Sequence, residues 1–525
     1  MIQGETGRTL SYGDFLEKSL KLAKLLEDLS VQSQERVAIL LQNSPDFSYA
    51  IGGILFQGGV AGPINILLKP QELEYILNHQ EARVLISEAE FFPLLQEIRN
   101  RLSKLEFVIE LSSKHPNGLI VHNLKDPSEL RAFYQNRAEQ IKELPKDLLS
   151  PGRRILTWEM LKKKSSPAQV APHDPALILY TSGTTGKPKG ALLSHEAIID
   201  ELGHLHTQVQ ADETDVLLSC LPLFHIFGLV FTIFGPFHIA ASAVTLKSFS
   251  PETYIQALLK YPISTTIIVP TIAFILLQIA EKLPQIPDLP SLKRIICGAS
   301  ALPMDVHKKL ENTFKLKVYE GYGLTEVSMA GCLNITEGEK RKWGSVGKPA
   351  AGYNDIAIFN GQSKALPARE VGEVVIRGKN IMMGYLKDPE GTKEALKDGW
   401  LHTGDLGYLD EDGYLYIIGR MKDMIIVGGE NVYPREIEEI LALIPQIAEV
   451  AVIGLDHEKY GEEVVACIAL KGSGIDEEKI IAFAKEKLAP FKVPSKVVFL
   501  DKLPRNASGK VLKNELKTRF ASGAN

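Results

Sequence analysis

Helical and strand periodicity alternate along most of this chain. That alternation restricts it to α/β architectures, in which short buried strands pair in parallel and helices cover them. The stretch DFLEKSLKLAKLLEDL carries an apolar stripe at helical spacing, and RVAIL reads as a short buried strand. PQELEYILNHQ followed by ARVLIS repeats the pair. At 525 residues the chain is too long for one core, so more than one domain is expected. After about residue 420 the pattern changes to a compact unit. There Pro434 opens a helix whose Ile437, Ile440, Leu441 and Ile444 share one face. EVAVIGL, EEVVACIAL and SKVVFL read as strands around a second helix, DEEKIIAFAKEKL, with Asp476 as its cap. The prediction is an α/β chain with a large N-terminal domain of several subdomains and parallel-rich sheets over residues 1–420. A small α+β domain follows over 421–525. The polar, broken segment from about 111 to 170 reads as surface connection without chemistry.

Two uncharged stretches, Leu221 to Leu246 and Tyr261 to Ala280, are long enough to span a bilayer on hydropathy alone. Pro222, Gly228, Gly235 and Pro236 interrupt the first, and Pro262 and Pro270 divide the second, so both are expected inside the core. The amino terminus is polar and has no apolar run of the kind a signal peptide carries. Cys220, Cys297, Cys332 and Cys467 form neither a disulfide framework nor a metal cluster, so a reducing, cytoplasmic setting is expected. A net charge of -5 leaves no basic excess for nucleic acid.

Residues 180–190, YTSGTTGKPKG, begin where the apolar ALILY run ends. Glycines permit close backbone approach, hydroxyls donate, and Lys187 and Lys189 add positive charge, a combination suited to a small-molecule polyphosphate. The run is not a Walker loop: Pro188 stands where the second glycine is needed, and proline also follows Gly186-Lys187. GYGLTE has Glu326 in place of the third glycine of a dinucleotide fingerprint. GASAL at 298–302 lacks the closing glycine of a nucleophile elbow, and the HLH at 204–206 is a lone histidine pair given no metal role.

Five runs taken together, YTSGTTGKPKG, GYGLTE (321–326), TGDLGYLDEDGYLYIIGR (403–420), GGENVYPREIEE (428–439) and PRNASGK (504–510), resemble the signature set of the AMP-forming acyl-CoA synthetase and adenylate-forming superfamily. The resemblance spans nearly the whole chain. It implies a large N-terminal domain, a mobile C-terminal domain and an active site at their junction, with ATP, Mg²⁺ and coenzyme A as cofactors and substrates. In such enzymes a carboxylate attacks the α-phosphorus of ATP, giving acyl-AMP and pyrophosphate, and a thiol then takes the acyl group. By resemblance, Thr181, Ser182, Gly183, Thr184, Thr185 and Lys189 hold the departing pyrophosphate, and Thr185 belongs to the catalytic set. Glu326 ligates magnesium, Thr325 contacts the α-phosphate, and Gly321, Tyr322 and Gly323 flank the nucleotide, Tyr322 with its aromatic face towards adenine. Asp405 accepts from the ribose hydroxyls and Arg420 adds contacts to the same nucleotide. Lys510 is the leading catalytic residue, Lys422 the hinge, and Gly428 and Gly429 line the pantetheine path.

The acyl site is read from the run after LPLFHIFG. Phe224, Phe227, Phe231 and Phe234 fall at spacings of three and four, and with Ile233 and Phe237 are expected to line an apolar tunnel. By resemblance, His225 stands at the mouth of the acid pocket, and Gly298, Ala299, Ser300 and Gly323 flank the carboxylate. Relatives that activate amino acids carry an aspartate near the His225 position, and none is nearby here. The reading is therefore an ATP-dependent fatty acid–CoA ligase of medium or long chain preference. An aryl-acid–CoA ligase, an acyl-AMP ligase loading a separate carrier protein, and a silent acyl- or nucleotide-binding protein are the alternatives. Oligomeric state and peripheral membrane contact stay open.

Overall fold

The computed structural model describes residues 1–111, 118–124, 153–158, 160–161, 165–181, 187–334, 341–472, 474–505 and 511–521. Among these residues the strands form four sheets. One sheet runs in the order Ile2–Gln3, Ser242–Thr245, Val216–Ser219, Thr265–Ile268, Arg294–Cys297, Lys317–Tyr322, Cys332–Leu333. All of its pairs are parallel except the last. A second has a parallel centre made of Pro175–Thr181, Val60–Pro63, Arg36–Leu40, Val84–Ser87 and Phe107–Leu111, with antiparallel strands at both edges.

Local chemistry explains the alternation. Ser11 accepts from the Asp14 amide and Asp14 accepts from the Ser11 amide, a capping box that starts helix Tyr12–Asp28. The apolar face of that helix, Leu22, Leu25 and Leu26, is wholly buried. It packs on helix Pro45–Gln57, where a Cβ on Gly53 would come within 2.8 Å of the Leu22 side chain, so glycine sets the approach of the two helices. The uncharged stretches lie in the core as expected: the first breaks into Ile226–Leu229, a π-helical turn Val230–Phe234, and Gly235–Ile239. The second holds strand Thr265–Ile268 and helix Pro270–Ala280. Among the described residues no helix is long and apolar enough to cross a membrane.

Two parts of the architecture depart from the sequence reading. Gly118–Asn123 and Arg153–Thr157, inside the segment read as surface connection, are antiparallel strands that extend the second sheet. Their apolar runs are short and flanked by polar residues, so they take strand form from the sheet they join and not from a pattern of their own. Asp355–Phe359, Gly372–Arg377, Leu396–Lys397, Trp400–Leu409 and Leu415–Arg420 form a separate antiparallel sheet, a unit that the reading had merged with the parallel-rich domain.

The fourth sheet belongs to a separate small C-terminal domain. Strands Ile447–His457 and Gly461–Leu470 pair antiparallel, and Lys496–Phe499 adds in parallel. Pro434 opens helix Pro434–Leu441, which buries Ile437 and Leu441 completely, and Asp476 accepts from the Lys479 amide at 2.9 Å as the cap of Glu477–Lys487. The large core contains Leu415, whereas Ile425 belongs to the small domain's own core. The chain crosses between the two cores on the turn Met421–Asp423.

Candidate active site

In a sheet with parallel strands the carboxyl ends lie along one edge, and loops leaving that edge build the ligand site. Here Pro175–Thr181, Val216–Ser219, Thr265–Ile268, Arg294–Cys297 and Lys317–Tyr322 all end towards one cavity of about 360 Å³. Thr181, Lys189, Gly298, Ala299, Gly321, Tyr322, Gly323, Thr325 and Glu326 line it, together with His225 and Phe227. The antiparallel sheet adds Arg420 from the far side, and Lys422 reaches it from the inter-domain turn. Residues chosen from three of the five signature runs, and from the runs around His225 and Gly298, thus share one wall.

The polar part of that wall is internally bonded. The Tyr322 hydroxyl donates to Asp405 Oδ2 at 2.8 Å, and Arg420 Nε lies 2.8 Å from Asp405 Oδ1. Asp405 itself is buried, and burial followed by the neighbouring carboxylate holds the Tyr322 phenol well above its ordinary pKa. Each Asp405 oxygen keeps a second lone pair, so the carboxylate can accept further hydroxyls while remaining anchored. Tyr385 donates its hydroxyl to Glu326 Oε1 at 2.9 Å, and Lys189 Nζ sits 2.8 Å from Asp388 Oδ2 and over the Tyr385 ring. The Lys189 hydrogen bond pulls the Asp388 pKa down. Nothing in the local sequence marks Tyr385, which pairs with a residue 59 positions away. The Asp-Pro step that caps helix Pro389–Ala395 was the available signal for Asp388.

The other part is apolar. Leu221, Pro222, Ile226, Phe227, Val269, Ile296 and Met329 line it together with His225. Burial lowers the His225 pKa to about 4, so the imidazole is neutral at physiological pH, and its Nε2 has no hydrogen-bond partner. Two residues of this wall, Ala299 at φ +66° and Met329 at +140°, hold conformations that side-chain-bearing residues rarely adopt, as does the adjoining Ser328 at +57°.

Several expected residues fall elsewhere. Of the phenylalanine stripe only Phe227 lines this cavity. Phe237 packs on Tyr12 and Phe15, and Ile233 is buried in the core, because the π-helical turn changes the spacing that put them on one face. Ser300 is exposed and outside the cavity wall, beyond the left-handed turn at Ala299. Gly428 and Gly429 lie at the exposed hairpin turn between Ile425–Val427 and Glu430–Val432, with φ +60° and +92°, and do not line the cavity. Ser182, Gly183, Thr184, Thr185 and Lys510 lie outside the described residues. His204 is a buried core residue whose Nε2 accepts from the Ala350 amide. Among the described residues no three His, Cys, Asp or Glu side chains gather at metal-binding distance, and all four cysteines are free and buried.

Comparison with known proteins agrees with this geometry. Residues 1–386 match the AMP-binding enzyme family, and residues 436–510 match the AMP-binding enzyme C-terminal domain. A long-chain-fatty-acid–CoA ligase of Bacillus subtilis is 34% identical over 97% of this chain and 90% of its own length. The long-chain-fatty-acid–CoA ligase FadD13 of Mycobacterium tuberculosis is 30% identical over 99% of this chain and 95% of its own. The fold superposes on ATP-bound MatB from Rhodopseudomonas palustris with a TM-score of 0.85 at 29% identity, covering 99% of this chain and 95% of that one. The apo form of MatB gives 0.72 at 28% identity over 99% and 95%. With three of the signature runs meeting on one cavity and both family domains matched in order, the chain belongs to the AMP-binding enzyme family of adenylate-forming acyl-CoA ligases.

Proposed function

We propose that this protein converts a fatty acid of medium or long chain to acyl-AMP with release of pyrophosphate, and then transfers the acyl group to the thiol of coenzyme A. One observation carries the choice of acid: the polar nucleotide-side wall continues into an apolar wall at which the half-buried His225 imidazole is held neutral. An acid with an uncharged tail fits such a wall, and an amino acid would bring an ammonium there without a partner.

The site residues take their roles on this reading. Carboxylate attack brings two anions together, and Lys510, with the hydroxyls and amides of Thr181–Thr185 and Lys189, offsets the charge at the α-phosphate and the departing pyrophosphate. Lys189 would leave Asp388 to do so. Tyr322 and Asp405 hold adenosine, with Arg420 fixing the Asp405 carboxylate. Glu326 is a single carboxylate, which fits magnesium held mainly by phosphate oxygens and water, and the ion would neutralise charge on the phosphates. Lys422, on the turn between the two cores, is the hinge, and rotation there brings Gly428 and Gly429 to the thiol's path. The higher superposition score against ATP-bound than apo MatB supports reading this arrangement as the adenylating one. A cytoplasmic setting suits the four free cysteines.

Pyrophosphate release measured across saturated fatty acids, benzoate, cinnamate and amino acids, with and without coenzyme A, tests the proposal. Specificity should rise with chain length up to at least about eight carbons, because each buried methylene contributes roughly 0.8 kcal/mol. Faster turnover with benzoate or cinnamate than with any fatty acid would refute it in favour of the aryl-acid alternative.

A further inference from the structure

Lys189 opens strand Lys189–Ser194 and lines the active-site cavity, yet its ammonium is already engaged elsewhere. Nζ lies 2.8 Å from Asp388 Oδ2, and Asp388 stands outside the cavity wall. Backbone pairing brings the two side chains together. Gly384–Tyr385 runs antiparallel to Lys189–Ser194 with Tyr385 opposite Ala191, and the Leu386 amide donates to the Gly190 carbonyl at 2.8 Å. Asp388 then caps helix Pro389–Ala395: its Oδ1 accepts from the Gly391 amide at 2.9 Å, which leaves Oδ2 for Lys189. Lys387, next in the chain, pairs instead with Glu81 at 3.2 Å.

Gly391 makes the room for this ion pair. A Cβ there would lie 2.3 Å from Asp388 Oδ2 and 2.4 Å from Lys189 Nζ, so any side chain at 391 would stand on the contact itself. Exposures of 20% for Lys189 and 33% for Asp388 shield the pair only in part, so each charge is felt by the other while water has access to let the pair open. Rotation about the torsions of the flexible lysine stem, with no backbone movement, would carry the ammonium between Asp388 and the cavity. The Tyr385 ring lines the cavity 5.0 Å from the same ammonium, so a cation drawn inwards keeps an aromatic face beside it.

We propose that Asp388 sets the affinity of the site for pyrophosphate: it is a built-in rival anion that competes with phosphate oxygens for Lys189 and takes the ammonium back as pyrophosphate leaves. The inference rests on the pyrophosphate role proposed above for Lys189 and deepens it. Asp388 is a positioning residue, acting on the ligand only through Lys189. A residue that merely held the fold would weaken binding when replaced, whereas removal of a rival strengthens it.

Isothermal titration of the full-length protein with inorganic pyrophosphate and Mg²⁺ reads this affinity without any acid or turnover. Asp388→Asn keeps an acceptor for the Gly391 amide and removes the charge, so pyrophosphate should bind roughly fivefold more tightly, the scale of a partly exposed ion pair. Gly391→Ala, in a helical backbone that alanine readily adopts, keeps both charges and wedges them apart, so it should tighten binding in the same direction. It carries the test if Asp388→Asn does not fold. Lys189→Ala should weaken binding, and in that background Asp388→Asn should no longer tighten it, because the rival has lost what it competes for. Unchanged or weaker binding in Asp388→Asn overturns the rival-anion role, as does tightening that persists without Lys189. If Lys189→Ala itself leaves pyrophosphate binding at the parental value, the assignment of Lys189 to pyrophosphate fails instead, so the two failures are distinguishable.

Discussion

Replacing Gly323 with alanine is the sharpest perturbation of the site that the structure offers. A Cβ at this position would sit 1.7 Å from the Met329 carbonyl oxygen and 2.7 Å from Ala330 Cα, both backbone atoms. Restoring even a 3.0 Å separation from that oxygen requires the two segments to part by about 1.3 Å. The facing turn cannot simply retreat. Its Ala330 amide donates to the buried Glu201 carboxylate at 3.1 Å, and Ser328 donates to the Asn380 carbonyl at 2.7 Å. Asn380 in turn donates to Glu201 at 2.8 Å, so the strained residues Ser328 and Met329 are tied to helix His195–Val209 through a closed network. The movement therefore falls largely on Gly321–Glu326, which carries Tyr322, Thr325 and Glu326. A displacement of about 1 Å in a reacting geometry can cost 10²-fold, so kcat/KM for pyrophosphate release should fall by about that factor. Overpacking of this kind should also cost roughly 1–3 kcal/mol in stability, seen as a lower Tm. A Gly323→Ala enzyme with parental kcat/KM and parental Tm would refute the argument, because it would mean that the contact relaxes without moving the site.

Other predictions follow from single contacts. Tyr322→Phe removes a hydrogen bond to a charged acceptor, worth about 1.5–3 kcal/mol, and should lower the Tm in thermal melts. Burial alone would lower the His307 pKa, but its hydrogen bonds to Glu311 and Glu320 outweigh this and raise it to about 9. The stabilisation from that charge is fully present below about pH 6.5 and is lost as pH rises through 9, so the Tm advantage of the parent over His307→Gln should shrink across this window. Lys422→Pro should leave acyl-AMP formation intact and slow thioester formation, measured as separate half-reactions; a parallel loss in both would refute the hinge. Lys510→Ala should slow adenylation by about 10²- to 10³-fold while leaving conversion of synthetic acyl-adenylate and coenzyme A near the parental rate.

Much of the site was legible without coordinates for a topological reason. In a parallel sheet the strand ends that matter share one edge, so polar or glycine-rich runs that directly follow strand-like runs converge without any knowledge of strand order. YTSGTTGKPKG follows ALILY, GASAL follows RIIC, and GYGLTE closes the strand Lys317–Tyr322, and each contributes to the cavity. Contacts made by pairing across long separations had no such signal. Tyr385 on Glu326, Asp388 on Lys189 and Glu201 under the Ala330 turn join residues from different sheets and helices. The phenylalanine stripe misled for a different reason: its spacing of three and four assumes an uninterrupted α-helix, and one π-helical turn moves Phe231 onto a second cavity.

The proposed hinge gains physical content from the turn on which the chain passes between the two cores. Leu415 packs in the large core and Ile425 in the small one, which leaves the intervening turn outside both. A turn that belongs to neither core can change its torsions without opening apolar surface, the most expensive consequence of moving a packed element. The contact with Ile417 is of a kind that can be exchanged: Arg435 Nη1 donates to the Ile417 carbonyl at 2.5 Å. Water can replace a hydrogen bond of this sort at a net cost of about 1 kcal/mol, well within what binding of a nucleotide or a thiol supplies. Lys422 lines the cavity from that same turn, so the residue proposed as the pivot also faces the site proposed for the nucleotide. On the proposed hinge, occupancy of the site and the angle of the small domain would be coupled through one short segment.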